Sequence, residues 1–302
     1  MRWTKKGLLF APASGPAWMI SHAAVPFADP LGGDLFRVYF SSRDASSRSY
    51  TAYVDVELGE AGARVVDLAS QPVLEPGPPG TFDDAGAMLS WITTHPQGKH
   101  LYYIGWNVGV SVPFRNALGL ATEARPGDGF RRYSAGPIID RSTVDPYFVA
   151  SSCVLREGST WRMWYLSCTG WDNVGGKPRH RYHLRYAESA DGVAWKRDGR
   201  VCIDFRSSEE YAISRPSVLK DGTTYKMWYS YRGEAYRIGY AESDDGLSWQ
   251  RLDERAGIDV SPSGWDSEMI EYPHVFDHRG RRYMLYNGNG YGKTGIGLAV
   301  LD

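Results

Sequence analysis

Two ten-residue stretches constrain this chain more than anything else in it: Tyr186-Ala-Glu-Ser-Ala-Asp-Gly-Val-Ala-Trp195 and Tyr240-Ala-Glu-Ser-Asp-Asp-Gly-Leu-Ser-Trp249. Each reads as a strand, a tight Asp-Gly turn and a further strand that begins at the tryptophan. Glycine supplies the positive φ that the turn needs, and the tryptophan is expected to pack back across the hairpin. The two copies lie 54 residues apart, from Tyr186 to Tyr240, a period that suits one four-stranded blade of a propeller.

The repeat extends upstream. Val149–Leu155 followed by Trp161–Ser167 matches Ile213–Leu219 followed by Tyr225–Tyr231, and Ile270–Phe276 followed by Arg282–Asn287. Looser copies are Ala87–Ile92 with His100–Gly105, and Ile20–Val25 with Phe36–Ser41. These copies predict an all-β, five-bladed β-propeller of four-stranded antiparallel blades, with residues 1–302 as one domain. The last blade runs out at its third strand, Gly295–Leu301, so the segment Gly7–Ala11 is expected to supply its outer strand and cover the exposed edge. Composition agrees. Aromatic residues make up 14% of the chain, with 11 Trp and 20 Tyr, and short β-branched and aromatic runs alternate with Gly, Asp, Asn and Ser clusters.

Charge excludes some partners. Thirty-four Lys and Arg against 35 Asp and Glu leave a net charge of −1, with no basic excess for a nucleic-acid backbone. The apolar run Gly7–Ala11 is too short for a signal-peptide core, and no stretch is long enough to span a bilayer. The three cysteines, Cys153, Cys168 and Cys202, lack metal-ligand spacing and are expected as reduced, buried thiols. The resulting expectation is a cytoplasmic protein with no metal, no cofactor and no nucleic-acid or membrane partner. Its ligand is a small molecule or an oligosaccharide; the oligomeric state is left open.

In a propeller the innermost strand of each blade lines a central channel, so polar groups on these strands meet in space. His22, Arg215 and Glu271 lie on or beside them, and His274 shares the strand of Glu271. The loops leading into the inner strands add Asp83, Asp84, Asp145, Glu209, Glu210, Asp266 and Glu268. These acids either touch substrate or hydrogen-bond their own turns. Arg43 and Arg232 end second strands, where they bind an anionic group bidentately or are solvated. Trp106, Trp171 and Tyr231, near strand ends, are placed to stack on a sugar ring.

The stretch Ile270-Glu-Tyr-Pro-His-Val-Phe276 resembles the Glu-x-Pro motif of glycoside hydrolases with five-bladed propellers, the group of families 32, 43 and 68 and the related mannoside phosphorylases. The resemblance implies Glu271 as general acid and a reaction that cleaves or transfers a glycosidic bond. Ser214-Arg-Pro-Ser217 is similar to the Arg-Asp-Pro strand of family 32, but without the Asp. Where those hydrolases carry a second carboxylate on the first blade, this chain has Ser21-His22-Ala23. Asp84 and Asp145 are the substitutes. His22, Arg43, Trp106, Glu210, Arg215, Arg232, Glu268 and His274 make up the expected binding set. Three arrangements are distinguishable. Two facing carboxyls would support hydrolysis. One carboxyl with clustered arginines would support phosphorolysis, or another enzyme class acting on a small anionic substrate. An apolar channel would support a carbohydrate-binding propeller without catalysis.

Overall fold

A computed structural model describes residues 1–302 except 13, 14, 61 and 126. The chain opens with β1 (Trp3–Phe10). Blade one follows as β2 (Ser21–Gly32), β3 (Leu35–Arg43), β4 (Ser49–Leu58) and β5 (Ala63–Leu68). Blade two is β6 (Gly86–His95), β7 (Gly98–Val108), β8 (Phe114–Glu123) and β9 (Phe130–Arg132). Blade three is β10 (Val149–Glu157), β11 (Thr160–Val174), β12 (Lys177–Ser189) and β13 (Val201–Ile203). Blade four is β14 (Ala212–Asp221), β15 (Thr224–Arg232), β16 (Tyr236–Ser243) and β17 (Gln250–Arg251). Blade five is β18 (Glu271–His278), β19 (Arg281–Asn287) and β20 (Ile296–Leu301), with β1 as its outer strand.

The closing strand pairs antiparallel with β20 from Trp3 opposite Leu301 to Phe10 opposite Ile296. Inner strands touch the previous blade through single parallel bridges, Ser49 to Gly86 and Tyr182 to Ala212. Asn287 of β19 ties blade five to blade one. Its side chain accepts from the Val25 amide at 2.9 Å and donates to the Ala23 carbonyl at 2.7 Å.

The repeated turns form as the Asp-Gly pairs predict, with Gly192 at φ 73° and Gly246 at φ 74°. Their tryptophans do not behave as expected. Asp191 Oδ1 accepts from the amides of Val193 and Ala194, both at 2.8 Å, which closes the turn short of Trp195. The outer strands therefore start later, at Val201 and Gln250. Each ring packs against the preceding blade, Trp195 at 6.1 Å from Tyr102 and Trp249 at 6.0 Å from Trp164, and Trp249 also donates back to the Gly246 carbonyl of its own turn at 3.1 Å. The same aromatics latch the turn glycines. Tyr102 donates to the Gly192 carbonyl and Trp164 to the Gly246 carbonyl, each at 2.8 Å. A Cβ on Gly192 would come to 2.9 Å from the Tyr102 hydroxyl, so glycine there serves both the turn and the close approach.

All three cysteines are buried and free. Cys153 sits opposite Trp164 and Cys168 opposite Tyr182, so the two thiols are not register partners.

Each inner strand is broken by a bulge at the channel. The register slips between Ala24 and Phe27, Leu89 and Trp91, Ala150 and Ser152, Ser214 and Ser217, and Glu271 and His274. Val25, Ser151, Arg215 and Tyr272 at these bulges all hold positive φ. In Val25-Pro26, Arg215-Pro216 and Tyr272-Pro273 the strained residue precedes a proline, which cannot donate to the ladder. Strain of this kind persists only where the surroundings enforce it. Here it aims side chains inward.

Candidate functional site

The five bulges surround a cavity of about 380 Å³ lined from every blade. Val25, Arg43 and Ser47 come from blade one, and Trp106, Phe114 and Asn116 from blade two. Ser151, His180 and Tyr182 come from blade three, Ser214 and Tyr236 from blade four, and Tyr272 and Tyr291 from blade five. Trp106 faces the cavity because Gly86 gives it room: a Cβ there would lie 2.3 Å from the indole nitrogen. That nitrogen donates to Ser49 Oγ at 3.2 Å.

Glu271 stands immediately before the blade-five bulge. The matching positions in blades one, three and four are Ala24, Ala150 and Ser214. Glu271 is 0% exposed, and among the described residues neither carboxylate oxygen has a hydrogen-bond partner. Burial pushes its carboxyl well above the usual glutamate range, against the pull of Arg232 and of a Tyr272 side-chain contact that falls short of well-formed hydrogen-bond geometry. Its charge also acts on Tyr182, Tyr236 and Tyr272, whose phenols are raised chiefly by burial. These three rings line the cavity, and Tyr182 and Tyr236 share a hydrogen bond of 2.5 Å between their hydroxyls.

Arg215 is not beside Glu271. Its bulge turns it across the channel, where it is 0% exposed and donates to the carbonyls of Ser90 in blade two and Pro26 in blade one. It lies over the Trp91 ring, and burial lowers its guanidinium to about 10. His274 is part of the same plug, its ring 4.2 Å from Phe27 and 5.2 Å from Trp91. Neither residue lines the cavity.

The acids of the loops are also placed elsewhere. Asp145 is fully buried and accepts from Ser167 at 2.6 Å, Arg197 at 2.6 Å and Tyr165 at 3.0 Å, with Arg185 at 3.2 Å. Asp83 takes Arg132 at 2.8 Å and Tyr103 at 3.2 Å, and Asp266 takes Lys5 at 2.7 Å and Tyr286 at 3.0 Å. Glu210 pairs with Arg251 through contacts of 2.8 and 3.1 Å. Each acid staples the loop entering a blade to that blade's outer strand or the segment leading to it. Asp84 caps its own loop through Gly80 N at 2.9 Å and Asn107 at 2.8 Å. Glu268 is exposed, its backbone held by Asn289 and Arg237. The two expected substitutes for a second carboxylate are therefore committed to structure. No described Asp or Glu lines the cavity; Glu271 stands behind its wall, next to Tyr272.

Of the expected binding residues, Arg43 and Trp106 line the cavity, while His22 and Arg232 stand next to residues that do or bond to them. His22 lies beside Arg43 and Lys293; burial and those two cations lower His22 to about 4, leaving it neutral. Arg232 donates to the Tyr291 hydroxyl, its guanidinium 5.4 Å from the centres of both Tyr211 and Tyr236. Sequence reasoning missed Tyr182, Tyr236, Tyr272, Tyr291 and Lys293. The signal for two of them was present: Gly288-Asn-Gly-Tyr-Gly-Lys-Thr-Gly295 is too glycine-rich for a plain hairpin. Its Gly290, Tyr291 and Gly292 all have positive φ.

No protein-family model matches the chain. Two uncharacterized proteins of Mycobacterium tuberculosis, MT1551 (strain CDC 1551) and Rv1502 (strain H37Rv), are each 45% identical to it over 302 residues, covering 100% of both chains. Among solved structures, BT0996 in its RGII complex superposes with a TM-score of 0.76 at 16% identity, over 99% of this chain and 92% of that one. A structure from the family 130 mannoside phosphorylases, a family described as containing hydrolases of β-1,2 mannosidic linkages in Candida mannan, gives 0.68 at 16% identity, over 94% and 85%. A thermostable family 43 glycoside hydrolase gives 0.66 at 15% identity, over 94% and 90%. The chain therefore belongs to one family with the two mycobacterial proteins, built on the five-bladed propeller of these glycoside hydrolases and phosphorylases.

Proposed function

We propose that the chain cleaves or transfers a glycosidic bond in the central cavity, with Glu271 as proton donor. The observation that carries this reading is a wholly buried carboxyl without a hydrogen-bond partner beside a ligand-sized cavity. Leaving such a group unsatisfied costs stability, and burial raises its carboxyl and so favours the protonated form. A glycosidic bond breaks through an oxocarbenium-like transition state whose leaving oxygen needs that proton. Tyr182, Tyr236 and Tyr272, whose phenols feel the Glu271 carboxyl, line the cavity. Trp106 and Phe114 offer faces on which a sugar ring stacks. With no second carboxylate on the described cavity wall, the acceptor is not activated by the carboxylate pair of a hydrolase, which favours transfer to an anionic acceptor such as phosphate.

Glu271→Gln keeps the shape and removes the proton. General acid catalysis contributes about 10²- to 10⁴-fold, so kcat on a glycoside with a poor leaving group is expected to fall by that order. An aryl glycoside with an acidic phenol should lose far less. Equal losses on both substrates would exclude the acid role.

A further inference from the structure

One cation lines the cavity with no carboxylate to neutralise it among the described residues, and a second lies close by. Arg43 ends β3 with its side chain in the cavity, and no carboxylate among the described residues pairs with it. The nearest acid in sequence, Asp44, is turned away. It accepts from the amides of Ser46 and Arg48 and the Arg48 Nε, all at 2.9 Å, and from the Tyr50 hydroxyl at 3.1 Å. Lys293 reaches the same corner because Gly292 packs against blade one: a Cβ there would lie 2.9 Å from the Ala24 Cα and 3.0 Å from the Asn287 side chain. Lys293 too has no carboxylate partner among the described residues. Between them sits His22, whose imidazole shares a 2.9 Å hydrogen bond with Ser21. Ser47, held at φ 63°, completes the corner.

Several other partly buried arginines are matched, whereas Arg215 and Arg232 have no carboxylate partner among the described residues. Arg251 takes Glu210 and Asp253, Arg197 takes Asp145, and Arg282 takes Asp221 and Asp277. A partly desolvated guanidinium without a carboxylate is suited to hold an oxyanion. The cavity, at about 380 Å³, is far larger than one oxyanion, and the neighbouring wall from blade two is aromatic through Trp106 and Phe114.

We propose that the substrate is a phosphorylated sugar, whose phosphate monoester is held by Arg43, Lys293 and the Ser47 hydroxyl while its ring lies against Trp106 and Phe114. This rests on the glycosidic reading for the chemistry, but the binding itself does not involve Glu271.

The test is calorimetric titration of the whole protein with glucose 6-phosphate, mannose 6-phosphate, the corresponding neutral hexoses and inorganic phosphate. A sugar phosphate should bind about tenfold to hundredfold more tightly than its neutral hexose, the scale of a charge-assisted contact, and more tightly than inorganic phosphate. Arg43→Met should erase that preference while leaving neutral-hexose binding in place, and Lys293→Met, at an exposed position, should reduce it. Glu271→Gln should keep the preference even where turnover is lost, which separates failure of the acid assignment from failure of this one. Equal binding of neutral and phosphorylated sugars, no binding by any sugar phosphate, or inorganic phosphate binding as tightly as the sugar phosphates would each overturn the proposal. The last result would make the corner a site for the free ion alone. Should Arg43→Met not fold, the Lys293→Met titration decides by itself.

Discussion

At the scale of single residues, Glu271 is a group the fold holds at a cost. Its carboxyl titrates well above the ordinary glutamate range because burial disfavours the charged form. The unfolded chain releases that proton near the ordinary value of about 4.3, while the folded chain keeps it. Above that pH the unfolded state therefore binds fewer protons, and stability falls as pH rises towards the folded value. Glu271→Gln removes this penalty. The variant is expected to melt at a higher temperature than the parent at pH 7, with the gap closing below about pH 4, where both states of the parent are protonated. An unchanged or lower melting temperature at pH 7 would contradict the buried, unpaired state. The acid role predicts that kcat on poor leaving groups falls as rising pH deprotonates Glu271, and that this limb disappears in the variant. The inner-strand position of Glu271 was legible from Glu-Tyr-Pro, though not its place behind the cavity wall. The direction of Arg215 was not legible either: Ser-Arg-Pro sits on the matching strand, yet Arg215 at φ 51° swings under the cavity instead of into it. The direction of a side chain at a bulge depends on a backbone angle that residue type alone does not specify.

At the scale of elements, what could be read locally was read well. The Asp-Gly turns carry their own chemistry, and counting strands exposed the gap that β1 fills. The outer strands of blades three and four were misplaced because they are only Val201–Ile203 and Gln250–Arg251, too short to show a period. The closing strand gives the sharpest test at this scale. Trp3 is 6% exposed, packs edge-on against Trp228 at 6.0 Å, and its amide donates to the Gly257 carbonyl at 3.0 Å. Trp3→Ala should cost about 3–5 kcal/mol, the usual range for removing a large buried aromatic. The low end is the better expectation, since the indole nitrogen is buried without a partner. Deleting residues 1–12 removes the whole ladder to β20 and Lys5 with it. That truncation should leave a protein that melts far earlier or aggregates through the reopened edge. A truncation with the parent's melting temperature would refute the closure.

For the whole molecule, the buried acids divide into a recurring group and one that does not recur, Glu271. Asp83, Asp145, Glu210 and Asp266 recur at the same place in successive blades, each held by a cation of its blade's outer strand or the segment before it, and three of them also by a second-strand tyrosine. A residue type at a recurring position is a framework part, whereas Glu271 stands where blades one, three and four have Ala24, Ala150 and Ser214. The pair of variants Asp145→Asn and Glu271→Gln tests this division. Both replace a fully buried carboxyl by an amide, so any difference between them comes from the surroundings. Removing the charge of Asp145 leaves Arg185 and Arg197 facing each other without compensation. Breaking a buried pair in this way costs about 3–5 kcal/mol, a fall in melting temperature of about 5–10 °C for a chain of this size. The loop it staples joins blades two and three, and the ring is closed by β1, so the loss should shift one cooperative transition, with fluorescence and calorimetry giving the same midpoint. The folded fraction of Asp145→Asn should keep the parent's kcat/KM on the substrate found for the cavity, while Glu271→Gln should melt higher and turn over more slowly. If Asp145→Asn instead lost activity at full stability, the recurring acids would belong to the site after all, and the second carboxylate would have to be sought among them.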